Sequence, residues 1–366
     1  MYRWLESRFE LMRESSGTNL RSMEGMRGFA VFLVFLTHFC TLVAPWVAEA
    51  PGLDSFARHV HAIGNTGVDL FFVLSGYLIY KTLLAREQGF GHFMARRVRR
   101  IYPAFLVVFS VYCVLSYGFP RENSIPAEAP LRYLVANLLL LPGLFPIKPM
   151  ITVAWSLSYE MFFYLCLPLA ITALRLRRRS GTWRIAAIAL VALTIASWSA
   201  ALGNGHVRMI MFMCGMLVHE AIQGRRMQAP SDAVAVAALV LGLLGTLLPV
   251  VGHIKSTLLF VSLFMVCVNC FLRPCGALAQ VFSWTPLRWL GNISYSYYLL
   301  HGLTLKAFFM LLPQPVVLSG HAVLVFLALL PLTFLLTLIS SAGLFLLVER
   351  PFSLAPTRTR VVSIPT

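Results

Sequence analysis

Three ionisable residues lie deep inside long apolar stretches of this chain. His38 follows the run "GFAVFLVFLT", Glu160 lies within "ITVAWSLSYEMFFYLCLPLA", and His301 ends "GNISYSYYLLH". An ionisable side chain at membrane depth is costly, so it usually faces the protein interior and serves a function. Imidazole titrates near neutral pH and can act as a base or as a nucleophile. These residue types therefore predict proton-transfer or group-transfer chemistry.

The spacing of these residues places them near one depth. His38 lies eleven residues after Arg27, and eleven helical steps return to nearly the same face with a rise of about 16 Å. Glu160 and His301 each lie about ten residues into their own spans. Three helices would then bring three ionisable groups together in a functional cavity. Taken singly, Arg27 can also be a topology anchor and His38 a buried histidine bonded to a carbonyl.

The elements that must hold these residues are membrane-spanning helices. Of the 366 residues, 58% are hydrophobic and 12% are charged, and the mean hydropathy is +0.78. A soluble protein of this length needs more polar surface, whereas runs of about 20 apolar residues can cross a bilayer as helices. The sequence predicts an all-α polytopic membrane protein. Its bundle of about ten transmembrane helices would lie near 28–46, 66–85, 101–119, 150–174, 184–202, 206–222, 232–252, 255–272, 290–312 and 321–348.

The distribution of basic residues predicts the orientation of this bundle. If the N-terminus is inside, the cytoplasmic segments, including the two terminal ones, carry 23 of the 30 lysine and arginine residues. This asymmetry follows the positive-inside rule and predicts that both termini are cytoplasmic. It also accounts for the net charge of +16 without a nucleic-acid partner. We expect a cytoplasmic segment over 1–27, one transmembrane domain over 28–352 and a cytoplasmic tail over 353–366.

Four arginines stand together directly before the third predicted span, in "FMARRVRRIYP". Arg96, Arg97, Arg99 and Arg100 exceed what orientation requires, although any cytoplasmic loop can be basic. Guanidinium groups bind phosphate through paired hydrogen bonds. The cluster therefore predicts a polyanion site, either for lipid headgroups or for a phosphorylated, nucleotide-bearing coenzyme.

Other polar residues have strong structural alternatives. Asp69 lies near the outer end of the second predicted span, where a carboxylate compensates the positive end of a helix dipole. Ser75 and Gly76 follow it, and small residues there favour close helix packing. Cys267 and Cys270 form a C-x-x-C pair without a second pair of ligands. We expect these cysteines to pack in the core, and no metal site is expected.

The order of these blocks resembles acyltransferase family 3, the integral membrane O-acyltransferases that include O-antigen and nodulation-factor acetylases. The family pattern of arginine, ten residues and histidine matches Arg27 and His38. Glu24 stands where the family usually has aspartate, so a carboxylate is kept. Five further blocks match in order within about residues 20–352: "GVDLFFVLSGYLI" (67–79), "RRVRRIYP" (96–103), "WSLSYEMFFY" (155–164), "GNISYSYYLLH" (291–301) and "ERP" (349–351).

The resemblance implies a ten-helix core that takes an acyl group, usually acetyl, from cytoplasmic acyl-CoA. It implies delivery to a hydroxyl of a sugar or glycan acceptor at the extracytoplasmic side of a bacterial inner membrane. Acyl-CoA would be a co-substrate, and no permanently bound cofactor is expected. Some relatives carry an appended soluble domain, and this chain ends soon after "ERP". We therefore expect it to act alone on its acceptor or with a separate periplasmic partner protein.

The resemblance and the residue chemistry together assign roles. His38 is expected to be the base or a transient acyl carrier, and Glu160 is expected to orient or polarise it. The donor's phosphates are assigned to Arg27, Arg96, Arg97, Arg99 and Arg100. The residues expected to bind the acceptor or to support the site are Asp69, Trp155, Tyr159 and His301.

Three other functions stay open at this point. Midplane charges and aromatic residues also suit a transporter or flippase for a lipid-linked glycan, but the sequence shows no inverted repeat to favour it. A haem protein would use His38 and His301 as axial ligands. A different class of membrane acyltransferase is disfavoured, because the sequence contains no His-x-x-x-x-Asp pair.

Overall fold

The computed structural model describes residues 2–11, 18–119, 125–202, 205–224, 227–250, 252–312 and 321–354. The predicted tail lies outside the described residues beyond position 354. The described residues form fifteen α-helices and no β-strand, and a π-helical segment, Phe345–Leu354, follows the last helix. The helices are α1 (Tyr2–Phe9), α2 (Thr18–Val47), α3 (Pro51–Gly64), α4 (Gly67–Ala85), α5 (Phe90–Gly118), α6 (Pro130–Leu138), α7 (Trp155–Ala173), α8 (Gly181–Leu202), α9 (Ile210–Gln223), α10 (Asp232–Gly245), α11 (Gly252–Leu272), α12 (Ala277–Phe282), α13 (Thr285–Asn292), α14 (Ser294–Met310) and α15 (Ala322–Leu344).

The prediction of an all-α polytopic membrane protein is confirmed. Within the described ranges, seven helical stretches are long and apolar enough to cross a membrane: Arg21–Val47, Pro51–Ala85, Phe90–Gly118, Thr152–Ala173, Gly181–Ala201, Gly252–Leu272 and Ala322–Leu354. The other three predicted spans coincide with the shorter helices α9, α10 and α14, of 14, 14 and 17 residues. The side of the membrane on which each terminus lies stays a prediction.

Helix α2 is central to the bundle and carries both Arg27 and His38. It packs against α3, α4, α13, α14 and α15. It begins ten residues before the predicted span. The reason is that apolar composition marks the membrane segment, whereas backbone hydrogen bonding continues into the polar residues before it. Pro45 lies in the last turn, where it supplies no N–H to the turn before it, and the helix ends two residues later at Val47.

Helix α5 contains the arginine cluster, so these arginines are helical and do not lie in a loop. Residues three apart on a helix share a face, and the residues between them point elsewhere. Arg97 and Arg100 lie on the face toward α7 and α14, where they meet the rings of tyrosines. Arg96 and Arg99 lie on the other side and are exposed. Helical spacing therefore divides the cluster into two pairs.

Two glycines bring α4 and α9 into close contact. A Cβ atom at Gly76 would stand 2.2 Å from the carbonyl oxygen of Phe212, and one at Gly215 would stand 2.0 Å from that of Val73. Small residues at such crossings let membrane helices approach until their backbones pack. Gly76 therefore has the predicted packing role, and the crossing fixes the position of α4.

Replacement of Gly76 by alanine is expected to destabilise the protein. The new methyl group meets backbone atoms rather than a movable side chain, so the two helices must separate. Overpacking of this kind costs about 1–3 kcal/mol and occasionally more. The measurement is the melting temperature of the purified protein in detergent. Gly302→Ala on α14 is the matched control, because no atom of the described chain lies within 4 Å of the added Cβ. Equal melting temperatures for the two variants would contradict the prediction.

The N-terminal helix is attached to the bundle through a buried arginine. Arg288 on α13 forms ion pairs with Glu24 of α2, at 3.1 Å, and with Glu10, which follows α1. Burial alone would lower the pKa of the Arg288 guanidinium, but the two carboxylates raise it above its ordinary value. The network joins α1, α2 and α13 at the end of the bundle where Arg27 lies.

Candidate functional site

A cavity of about 310 Å³ lies between α2, α4, α5, α7 and α14. Much of its wall is apolar, and its described lining includes four charged side chains: Arg27, Arg97, Arg100 and Glu160. An apolar space with a few convergent polar groups is typical of ligand sites. All four charged residues belong to the set that the sequence predicted.

Two of the arginines are held in place at one end of the cavity, which we call the arginine end. Arg27 donates from Nε and Nη2 to Ser294 Oγ, at 3.3 and 3.0 Å. Arg100 donates to Glu349 Oε1 at 2.6 Å, and its guanidinium lies 5.6 Å from the ring centre of Tyr295. These contacts fix the direction of both guanidinium groups, which is what recognition of an anion requires.

Arg97 lines the cavity beside two aromatic rings. Its guanidinium lies 5.2 Å from the ring centre of Phe93 and 5.5 Å from that of Tyr164. Its Nε is buried and finds no hydrogen-bond partner in the part of the chain that the structure describes. A buried N–H without an acceptor costs free energy, which an anion in the cavity would recover.

The other two arginines of the cluster point away from the cavity. Arg96 is exposed and donates to Gln88 Oε1, and Arg99 is exposed and donates to the carbonyl oxygen of Phe352 at 3.1 Å. The structure thus brings together three of the five predicted donor-binding residues, namely Arg27, Arg97 and Arg100, and leaves two at the surface.

Glu160 lies in the cavity wall between two hydroxyl groups. Its Oε1 accepts hydrogen bonds from Ser75 Oγ, at 2.9 Å, and from the hydroxyl of Tyr164. These two hydroxyl groups hold the carboxylate in one orientation in the cavity wall. The ring of His38, which Glu160 was expected to orient, makes its ring contact with His301 instead.

His38 and His301 form a pair about one helical turn beyond the cavity. Their ring centres are 5.1 Å apart, and the ring planes meet at 59°. Tyr298 lines the cavity and lies one turn before His301 on α14, with ring centres 6.3 Å apart. Because α2 and α14 also meet at Arg27, the pair lies roughly 10–16 Å along these helices from the arginine end. The cavity therefore leads from the arginines toward the histidines.

Three of the four residues expected to bind the acceptor or to support the site, Asp69, Trp155 and Tyr159, also come together, near the first turn of α4. Asp69 Oδ2 lies 3.2 Å from Nη2 of Arg208, whose guanidinium is 5.4 Å from the ring centre of Trp155. The rings of Trp155 and Tyr159 are 5.8 Å apart, and the Tyr159 hydroxyl lies 2.8 Å from His206 Nδ1. We call these five residues the Trp155 cluster. It combines aromatic faces with charged and neutral polar groups.

The family model of the acyltransferase domain matches residues 20–342. This chain belongs to acyltransferase family 3. The matched range includes α2, α4, α5, α7 and α14, which are the helices that line the cavity. The resemblance seen in short sequence blocks is thereby confirmed over most of the chain.

Named relatives of this family 3 chain are acyltransferases. It is 27% identical over 329 residues to the putative peptidoglycan O-acetyltransferase YrhL of Bacillus subtilis, covering 76% of this chain and 47% of the relative. It is 27% identical over 321 residues to O-acetyltransferase OatA of Staphylococcus aureus, covering 77% and 50%. Acyltransferase MdmB of Streptomyces mycarofaciens is 31% identical over 154 residues, covering 41% and 38%. The chain spans half the length, or less, of these relatives. No solved structure matches the chain significantly.

Local patterns in the sequence of this family 3 chain also indicate some of the site residues that were not predicted. Tyr164 lies four residues after Glu160, and residues at that spacing are neighbours on a helix. Arg208 is one of the few basic residues outside the segments predicted to be cytoplasmic, so it was a candidate partner for Asp69. Ser75 was interpreted as a packing residue, yet it donates to Glu160.

Apart from the place of Glu349 in the "ERP" block, nothing in the sequence predicts its role in the site. It is fully buried and accepts hydrogen bonds from Ser296 N, at 3.0 Å, and from Ser296 Oγ, at 2.6 Å, besides that from Arg100. Its partner on α5 is 249 residues away in the sequence. Only the packing of the C-terminal segment against α5 and α14 reveals that Glu349 supports the site.

Proposed function

We propose that this chain is a membrane O-acyltransferase that moves a short acyl group, in the simplest case acetyl, from acyl-CoA to a hydroxyl of a sugar or glycan. The observation that carries the proposal is a cavity lined by three arginines, with the pair of His38 and His301 about one helical turn beyond Tyr298 in its wall. The printed names of the relatives support the same class of reaction. The apolar helices and the bacterial origin of these relatives support a place in a bacterial inner membrane.

The arginine end suits the donor. Coenzyme A carries phosphate groups, and guanidinium groups bind phosphate through charge-assisted hydrogen bonds. A cavity of about 310 Å³ suits the narrow chain of acyl-CoA that ends in the thioester, here called the arm, better than the nucleotide. In this proposal the nucleotide stays at the arginine end, which the positive-inside rule puts in the cytoplasm. Arg97 supplies the N–H that lacks an acceptor, and Glu160 accepts an amide N–H of the arm.

The Trp155 cluster suits the acceptor. The faces of Trp155 and Tyr159 pack against the apolar side of a sugar ring, while Asp69, Arg208 and His206 bind its hydroxyls. Peptidoglycan, in the name of one relative, is a sugar polymer. An acceptor of this chemistry would approach the histidines from the end of α4 opposite the arginines.

The chemistry needs a base at the meeting point of donor and acceptor. As the acceptor oxygen attacks the carbonyl carbon of the thioester, its proton passes to a ring nitrogen of His38. The carbon–sulfur bond then breaks, and the proton moves from His38 to the sulfur of coenzyme A. His38 lies past the cavity end at Tyr298 and on the helix that also carries Arg27, so α2 spans the path of the acyl group.

The proposal can be tested by measuring donor binding after substitution of two arginines from the same cluster. Arg97→Ala is expected to weaken acetyl-CoA binding about 10- to 100-fold, because a hydrogen bond to a charged group contributes about 1.5–3 kcal/mol. Arg96→Ala removes an exposed arginine next to it, so the affinity should change less than about threefold. The measurement is equilibrium binding of radiolabelled acetyl-CoA to purified protein in nanodiscs, followed by label transfer to a panel of sugars and glycans.

The outcomes separate the parts of the proposal. Label in an acceptor would support the reaction and name the acceptor class. Equal loss of binding in both arginine variants would argue against the cavity as the donor site. If the wild type neither binds nor consumes acetyl-CoA or other short acyl-CoA donors, the proposed function fails, and transport of a lipid-linked glycan is the function to test next.

A further inference from the structure

Within the described ranges, one ring nitrogen of His301 is bonded and the other has no hydrogen-bond partner. The residue is fully buried, and its Nδ1 lies 2.8 Å from the carbonyl oxygen of Tyr297. A carbonyl oxygen only accepts hydrogen bonds, so Nδ1 carries the proton. A ring buried among other rings is favoured in its neutral form, which leaves a lone pair on Nε2. No hydrogen bond reaches that atom from the described chain.

Of the three rings that the described chain places against His301, those of His38, Tyr297 and Tyr298, His38 is the one whose N–H is not used elsewhere. The Tyr297 hydroxyl lies 2.7 Å from Thr337 Oγ1, which itself donates to a carbonyl of its own helix, so the Tyr297 proton points to Thr337. The Tyr298 hydroxyl donates to a backbone carbonyl just before α7, at 3.1 Å. Both neighbouring hydroxyl protons are therefore used elsewhere. The ring of His38 contacts that of His301, and the two ring centres are 5.1 Å apart.

We propose that His301 is a positioning residue for His38. The two rings are in contact but not hydrogen-bonded in this structure, and a small turn of the His38 ring brings its N–H onto the proton-free Nε2 of His301. That hydrogen bond then fixes which nitrogen of His38 is free to act as the base. The inference rests on the proposed function of His38. It gives His301 the part that a buried carboxylate has beside the histidine of a serine hydrolase. It also explains why Glu160 need not touch His38, since Glu160 is engaged by Ser75 and Tyr164.

The proton balance of the step follows from this arrangement. The proton of the acceptor hydroxyl moves to the free nitrogen of His38 while the new carbon–oxygen bond forms. His38 is then an imidazolium, and its other N–H remains hydrogen-bonded to His301 Nε2, which stays unprotonated. When the carbon–sulfur bond of the donor breaks, the first proton moves to the sulfur. His301 gains and loses no proton in the cycle, and its contribution is the direction of the His38 ring.

The positions of the protons on the rings of His38 and His301 test the inference without any substrate. Purified protein with ¹⁵N-labelled histidine, in lipid vesicles, is measured by solid-state NMR, and His301→Phe identifies the signals of His301. The expected spectrum shows His301 protonated at Nδ1 and unprotonated at Nε2. In His301→Phe, the signals of His38 should change from one tautomer to a mixture. A proton on Nε2 of His301, or a His38 spectrum unchanged by His301→Phe, would overturn the inference.

Kinetics of matched variants provide the second readout. His301→Phe keeps a ring but removes the acceptor, so kcat should fall about 10- to 100-fold with unchanged acetyl-CoA affinity. His301→Gln retains an oxygen that can accept the same hydrogen bond, so it should recover much of this loss. His61→Phe is the control, because His61 also lies within electrostatic range of His38 but is only partly buried. Equal losses in the two His301 variants would contradict the inference. Absence of turnover in the wild type would count against the proposed function, while the NMR result would stand separately.

Discussion

Protein carrying His38→Ala is expected to lose acyl transfer roughly 10³-fold while it still binds acetyl-CoA as tightly as the wild type. A positioned base contributes about 10²- to 10⁴-fold to such reactions, and the substitution removes the proposed base entirely. Donor binding should persist, because the arginine end lies roughly 10–16 Å along α2 and α14 from the histidine pair. The measurement combines label transfer to the acceptor with equilibrium binding of labelled acetyl-CoA.

The control for this prediction is another histidine of the same protein. His59 on α3 is exposed, and its Nδ1 lies 2.6 Å from the carbonyl oxygen of Ser55. His59→Ala should therefore leave both transfer and binding unchanged. Transfer within about tenfold of the wild type in His38→Ala would exclude His38 as the base. A parallel loss of donor binding would mean that the substitution disturbs the bundle rather than the chemistry.

Local sequence patterns predicted the parts of the fold that depend on local physics. Apolar runs marked the membrane segments because a helix in lipid must be predominantly apolar and each backbone group must be bonded within its helix. The same patterns misplaced helix ends, since α2 and α5 continue into polar residues. With α5 extended back to Phe90, the division of Arg97 and Arg100 from Arg96 and Arg99 follows from helical spacing alone.

The site depended on contacts that a single sequence does not contain. Helical rise placed His38 and His301 at similar depth, but only the packing of α2 against α14 makes them neighbours. Arg27 and Ser294, which are 267 residues apart, meet for the same reason. Glu160 was expected to meet His38, yet it lines the cavity, where α4 and α7 supply it with hydroxyl partners of its own. Depth along a helix is a local property, whereas the choice of neighbour is a property of the whole bundle.

Removal of the Glu349 carboxylate is expected to be among the most destabilising single changes in this protein. Glu349 is fully buried, and Arg100 is mostly buried, so Glu349→Ala leaves a guanidinium without its counter-charge. Breaking a buried ion pair in this way costs about 3–5 kcal/mol, which corresponds to a fall in melting temperature of roughly 4–7 °C for a chain of this length. Glu349→Gln should cost less, because its oxygen can still accept the two hydrogen bonds from Ser296. Thermal unfolding of detergent-purified protein measures both.

A double variant separates stability from donor binding at this pair. Arg100→Met combined with Glu349→Leu removes both charges and fills similar volume, so much of the lost stability should return. Recovery should stay incomplete, because the buried N–H of Ser296 loses its acceptor. Acetyl-CoA affinity should not return, since the cavity has lost one of its three arginines. Glu87→Ala is the control, because Glu87 is 91% exposed and its pair with Arg177 spans 3.8 Å. If the double variant binds acetyl-CoA like the wild type, Arg100 is a structural partner of Glu349 and not a ligand of the donor.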